Sequence, residues 1–310
     1  MSKLVKPKPR GVALITAMLV VSLATITAVA MMARKQVDFR RSENVLYHEQ
    51  AYLYLLGAED WAKQTLLRDR KNNDIDSYKD DWATILPPLP IEGGSIGGKI
   101  EDLQGRININ NLASGDVNSV DYLRFKKLLE LNDIPVGLVN TIADWLDADQ
   151  DVRFPDGAED VDYLYGDTPY RTGNRMMQSA TELLLVKGLT YEIYEKIAPA
   201  IVALPDHTDI NVNTATEEVL QTLIEEFTAA DAEKLIADRL KEPFVKIEDF
   251  LQHASVKGKK VTTNGLTVSS KYFLLTAEAE IGRVEATLES IIHRVDQNTL
   301  RVIARSQGGL

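Results

Sequence analysis

The chain has 310 residues, 45% hydrophobic and 26% charged, the proportions of a folded globular protein rather than a disordered one. Its formal charge is −11, and setting aside the four positive charges of residues 1–11 leaves −15, a body that repels nucleic acid and attracts cations. The absence of cysteine excludes disulfides and thiolate chemistry, and the scattered His48, His207, His253 and His293 argue against a histidine-rich metal site.

Residues 1–10 are polar and basic, with Lys3, Lys6, Lys8 and Arg10. Beyond Gly11, Val12–Ala33 carries no charged side chain and is long enough to cross a hydrocarbon core. We take 1–11 as a leader and 12–34 as a transmembrane helix. The basic flank sets its N-terminal end in the cytoplasm and the acidic remainder on the far side of a bacterial inner membrane. Three readings compete, the first being a plain signal anchor. A secretory cut after Ala28-Val29-Ala30 gives a mature start at Met31 and a soluble periplasmic module. A cut after Gly11 keeps the apolar helix. From Val12 to Leu56 there is neither Gly nor Pro, and Tyr52, Leu55, Leu56, Ala62 and Leu66 fall on a helical period. One helix therefore runs from the membrane into the soluble body, which favours the retained form.

Residues 35–70 continue that amphipathic helix, and Asn72–Pro90 reads as an irregular connection ending in Pro87-Pro88-Leu89-Pro90. Gly93–Gly98 lacks the Gly-Lys-Ser/Thr ending of a phosphate loop and reads as a β-turn before a strand over Lys99–Asn110. Helices are expected near 119–132, 136–147, 179–187 and 190–202. At the far end the period becomes two, with Phe273, Leu275, Ala277, Ala279 and Ile281 alternating. The alternation resumes out of phase at Val284, Ala286 and Leu288 after Gly282, a shift that reads as a bulge. Asp296-Gln297-Asn298 then turns the chain into Leu300-Val302-Ala304. Strands on both sides of a helical block give an α+β fold. The segments are 35–110 (helix and first strands), 111–205 (inserted helical domain) and 206–310 (second helical repeat and last strands).

Ile107-Asn108-Ile109-Asn110-Asn111-Leu112-Ala113 is echoed by Ile210-Asn211-Val212-Asn213-Thr214-Ala215, each cluster suited to capping a following helix. The second copy, with Leu220, Arg239 and Phe244, resembles the helix-hairpin-helix modules of DNA-binding proteins. Its hairpin, however, reads Glu225-Glu226-Phe227-Thr228-Ala229, where carboxylates stand in place of phosphate-binding glycines. A membrane-anchored DNA-uptake receptor thus rests on the Lys257–Lys260 turn alone, and no nucleic-acid partner is expected.

Between Asp144 and Asp160, seven of 17 positions are acidic, a density of hard oxygen donors that suits Ca²⁺. Asp147, Asp149 and Asp151 alternate like the first EF-hand ligands. The glycine position holds Val152 and the twelfth holds Ala158, with Glu159 one residue later, so this is not an EF-hand. Packed beside Trp145, Leu146, Phe154 and Ala158 without a cation, these carboxylates would repel one another. No hydrolase, zinc-protease or P-loop motif is present, and no enzymatic activity is expected.

The stretch Arg10-Gly11-Val12-Ala13-Leu14-Ile15-Thr16, with its basic leader and long helix, closely resembles the start of type II secretion minor pseudopilins of the K type. The resemblance implies prepilin peptidase cleavage between Gly11 and Val12 and methylation of the Val12 amine. Most pilin-like subunits carry Glu at the fifth mature position; this chain has Thr16, and the K subfamily departs in the same way. A neutral Thr16 avoids a carboxylate left unpaired in lipid at a filament end. The resemblance further implies a pilin-like fold with a large inserted helical domain and a place at the pseudopilus tip in type II protein secretion. Its implied partners are the I- and J-type minor pseudopilins and other pseudopilus subunits. A structural Ca²⁺ in the helical domain maps onto Asp147, Asp149, Asp151, Glu159 and Asp160, with Asp144 and Asp162 as outlying candidates.

Overall fold

The computed structural model describes residues 12–114, 116–165 and 168–308. Helix α1 (Val12–Asn72) is one unbroken run of 61 residues, about 90 Å at 1.5 Å per residue. Its membrane-compatible window has a mean hydropathy of 2.4 and is wholly exposed. The second half instead buries Ala51, Leu55, Glu59, Ala62, Thr65, Leu66 and Asp69. Those spacings of three and four confine burial to one stripe.

Nine strands follow among the described residues: β1 (Leu86–Ile91), β2 (Gly94–Asp102), β3 (Ile107–Asn108), β4 (Ile201–Val202), β5 (Ile210–Asn211), β6 (Leu266–Thr267), β7 (Tyr272–Ile281), β8 (Val284–Arg294) and β9 (Leu300–Ser306). Strands β1, β2, β7, β8 and β9 form an antiparallel sheet in that order, while β3 with β4 and β5 with β6 are short parallel pairs. The α1 stripe packs on the sheet through Leu55, Leu66, Trp82, Ile100, Phe273, Leu275 and Ile292. Trp82 meets Phe273 edge-on, ring centroids 5.3 Å apart.

The helices between the sheet's halves are α2 (Val120–Leu131), α3 (Leu138–Leu146), α4 (Asp160–Leu164), α5 (Tyr191–Ile197), α6 (Glu217–Leu223), α7 (Ala229–Arg239) and α8 (Ile247–Gln252). They enclose a second core running from Ile107 to Leu266. Leu128 and Ile142 of the first repeat share it with Leu220 and Leu235 of the second, so this core crosses the division drawn at 205–206.

Several local expectations are corrected. Leu86–Ile91 is a strand despite its prolines, because β1 lies at the sheet edge where missing N–H donors are tolerated. The strand expected over Lys99–Asn110 starts at Gly94 and stops at Asp102, whose carboxylate accepts the Gln104 amide at 2.8 Å and turns the chain into a 3-10 turn. Residues Ala180–Leu185 form a 3-10 turn rather than an α-helix, and α5 ends before Pro199. Gly282 is not in a bulge. It opens a two-residue hairpin turn with φ +61, pairing Ile281 with Val284, and this accounts for the phase shift.

Asn108 Oδ1 accepts the Asn110 amide at 3.2 Å and so opens the 3-10 turn Ile109–Ser114, but the repeated asparagines do not cap the α-helices farther on; Ser119 caps α2 and Thr216 caps α6. They tie backbone to backbone instead. Asn110 exchanges two bonds with Met177, at 2.8 and 2.9 Å, and Asn213 does the same with Phe244, at 2.9 Å each. Helical body and sheet meet at buried polar groups. Asp76 accepts both bonds from Arg294 Nη1 at 2.9 Å and the Ser270 amide at 2.7 Å. Asp102 Oδ2 accepts from Asn211, Thr214 and Ser270.

Candidate metal centre

Helix α3 puts Val139, Ile142, Ala143, Trp145 and Leu146 into the helical core and buries Asn140, Thr141 and Asp144 among them. Asp144 rides on that helix into the interior, with 0% of its surface exposed. The helix stops at Asp147, where the backbone becomes extended. The loop that follows is pinned back onto α3 by two 2.7 Å bonds, from Asn140 Nδ2 to the Pro155 carbonyl and from Thr141 Oγ1 to the Asp156 carbonyl. A Cβ on Gly157 would collide with the Asp144 carboxylate and the Arg153 backbone, so glycine lets the loop close over the helix. Glu159 then leads into α4. Trp145 backs the site, meeting Tyr163 and Tyr170 edge-on at 5.4 and 6.2 Å.

Within this fold, Asp147, Asp149 and Glu159 each bring one carboxylate oxygen within 4.8 Å of the others. Glu159 is buried, and among the described residues neither of its carboxylate oxygens has a hydrogen-bond partner; the same holds for Asp147 Oδ1. Burial, followed by repulsion from Asp144, Asp147, Asp149 and Asp160, pushes the Glu159 carboxyl up to about 7. Burial also raises Asp147, against the opposing pull of Arg153. Arg153 Nη1 donates to Asp144 Oδ1 at 2.6 Å and also to Asp147 Oδ2, and its backbone N–H donates to Asp144 Oδ2 at 3.1 Å. Orphaned, buried, anionic oxygens with no sulfur or imidazole among them fit a hard divalent cation such as Ca²⁺.

The five expected ligands divide. Asp147, Asp149 and Glu159 converge. Asp151 is exposed and reaches the cluster only through its backbone N–H, which donates to Asp149 Oδ1 at 2.9 Å. Asp160 Oδ1 accepts from the Thr172 amide and hydroxyl at 3.0 and 2.8 Å, and Asp162 pairs with Lys187 at 2.7 Å. Sequence reasoning missed Arg153 and undervalued Asp144. The helical phase of Asp144 among core residues was the available signal for the latter.

At the N-terminus, Val12 is the first residue of α1, while the cleavage position at Gly11 lies outside the described residues. The Thr16 hydroxyl donates into its own helix, to Val12 O at 3.1 Å and Ala13 O at 3.0 Å. In the helix-hairpin-helix copy, the lysine turn faces its own acidic hairpin: Lys260 pairs with Glu225 at 2.7 Å, and Lys259 donates to the Glu226 carbonyl at 2.6 Å and pairs with Asp231 of α7 at 3.0 Å.

Two family models, both described as type II secretion system (T2SS), protein K, match residues 105–206 and 210–269. The chain is 35% identical to the type II secretion system protein K of Pseudomonas aeruginosa, over 97% of this chain and 94% of that one. It is 30% identical to the protein of the same name from Pectobacterium carotovorum, covering 98% of each. Its fold resembles a chain in the crystal structure of the GspK-GspI-GspJ complex of the enterotoxigenic Escherichia coli type 2 secretion system. The TM-score is 0.77 at 23% identity, covering 87% of this chain and all of that one.

Proposed function

The chain belongs to the type II secretion system protein K family, and on that footing we propose that it is the minor pseudopilin at the tip of the pseudopilus, assisting filament assembly and the export of folded proteins across the outer membrane. One observation carries this reading: α1 is continuous, with a bare apolar half joined to a half locked into the soluble core. Its uncharged run Val12–Ala33 anchors the chain once across the inner membrane, with the N-terminus cytoplasmic and the body periplasmic. During assembly the same surface packs against the helices of other pseudopilus subunits. The helical body inserted between β2 and β7 suits the last position of a filament, where no further subunit must stack above it. Thr16, bonded within its own turn, needs no charged neighbour in lipid.

The structurally similar chain comes from the GspK-GspI-GspJ complex, and I- and J-type minor pseudopilins are the partners proposed here. Prepilin peptidase acts between Gly11 and Val12, and the Val12 amine is methylated. The role is assembly, with no catalytic step. A structural Ca²⁺ is assigned to Asp147, Asp149 and Glu159, with Asp151 and Asp160 as the remaining candidates. Its orphaned oxygens support that assignment.

Mass spectrometry of the N-terminus from native membranes tests the central claim. A start at Val12, heavier by one methyl group, is expected. A start at Met31 would leave a secreted soluble protein and withdraw the tip role.

A further inference from the structure

We propose that Arg153 is the chain's own counter-ion for the metal centre, competing with the divalent cation for Asp144 and Asp147. The inference rests on the calcium reading above and concerns how that site is tuned.

Arg153 supplies every described hydrogen bond to the Asp144 carboxylate, Nη1 to Oδ1 and its backbone N–H to Oδ2. A fully buried carboxylate stripped of that partner is strongly destabilising, so the guanidinium holds the loop folded when no metal is bound. The same Nη1 also bonds Asp147, one of the three residues whose oxygens converge on the centre. A divalent cation beside Asp147 would therefore share a carboxylate with a fixed positive charge, and the two cations repel. Arg153 has room to withdraw. Its side chain keeps 18% of its surface exposed, and the neighbouring side chains of Val152 and Phe154, 56% and 96% exposed, do not cover it. Glu159 and Asp149 lie outside the Arg153 hydrogen bonds and remain free to attract the incoming ion.

On this reading Arg153 weakens calcium binding while stabilising the calcium-free fold. The test is calorimetric titration of the full-length chain in detergent with CaCl₂, alongside melting curves in chelator. Arg153→Gln should bind Ca²⁺ about tenfold more tightly or better, while melting at a lower temperature without it. Glu159→Gln should lose binding. If Glu159→Gln loses binding but Arg153→Gln binds as wild type or more weakly, the competition is overturned and the calcium site stands. If the wild type takes up no Ca²⁺, or Glu159→Gln binds as well as wild type, the calcium reading falls and the competition with it. Should Arg153→Gln fail to fold in chelator, Arg153→Lys replaces it in the titration, since the shorter lysine side chain does not carry its nitrogen as far as Nη1, the one atom that bonds both carboxylates. Tighter binding by a smaller factor is then expected, and unchanged or weaker binding overturns the proposal.

Discussion

Asp69 offers a test of the junction where α1 leaves the sheet. Its carboxylate is buried, and only Oδ1 is bonded, accepting from Asn73 Nδ2 at 3.4 Å. Among the described residues Oδ2 has no hydrogen bond, and the nearby Arg294 Nη2 is 3.8 Å away on a guanidinium already committed to Asp76. Burial first, then the neighbouring Asp80 and Asp76, raise the Asp69 carboxyl from 3.8 to about 7. The folded chain therefore holds this proton more tightly than the unfolded chain does, and stability falls as pH rises through the window from about 4 to about 7. At about 1.4 kcal/mol per unit, the ionised group costs at most about 4 kcal/mol above pH 7. Asp69→Asn keeps the shape without the charge. Urea unfolding should find it more stable than wild type by about 2 to 4 kcal/mol at pH 8, with the gain nearly gone at pH 4. A variant equal to or weaker than wild type at pH 8 would show that Arg294 neutralises Asp69 and Asp76 together, refuting the argument.

Arg294→Met should act in the opposite direction, leaving Asp76 buried and unpaired, with a loss of about 3–5 kcal/mol by denaturant unfolding. Trp82→Ala empties the contact between α1 and Phe273 and should cost about 3–5 kcal/mol, seen as earlier melting of the sheet core. Asn213→Ala orphans the Phe244 amide and carbonyl, with an expected loss of about 1–3 kcal/mol for each buried group left unpaired, read by thermal melting. Calcium should raise the melting temperature of the wild type and leave that of Glu159→Gln unmoved, measured in calcium against chelator.

Elements with a sustained period were readable from residue order alone. The apolar run from Val12 and the stripe through Leu55 and Leu66 announced α1, and the alternation from Phe273 to Ile281 announced β7. Strand β1 was hidden because proline forbids a central strand and says nothing against an edge. The two-residue strands β3 to β6 have no period to detect; tertiary pairing alone makes them strands. At the candidate metal centre, alternating acids drew attention to Asp147 and Asp149, whose oxygens converge, but sequence spacing could not show that Thr172 claims Asp160. Nor could it show that Arg153 folds back across six residues to reach Asp147. Both depend on the path of the loop, which Gly157 and the side chains of Asn140 and Thr141 set in three dimensions.

The unbroken α1 also has a mechanical meaning. A helix transmits axial force through its ladder of backbone hydrogen bonds, and this one has no proline within it and a single glycine, Gly57, already inside the half that grips the sheet. The only weak link thus sits where the rod is splinted by its surroundings. Lifting the lipid end by one helical turn would raise the head by the same distance, with no joint between them to absorb the stroke.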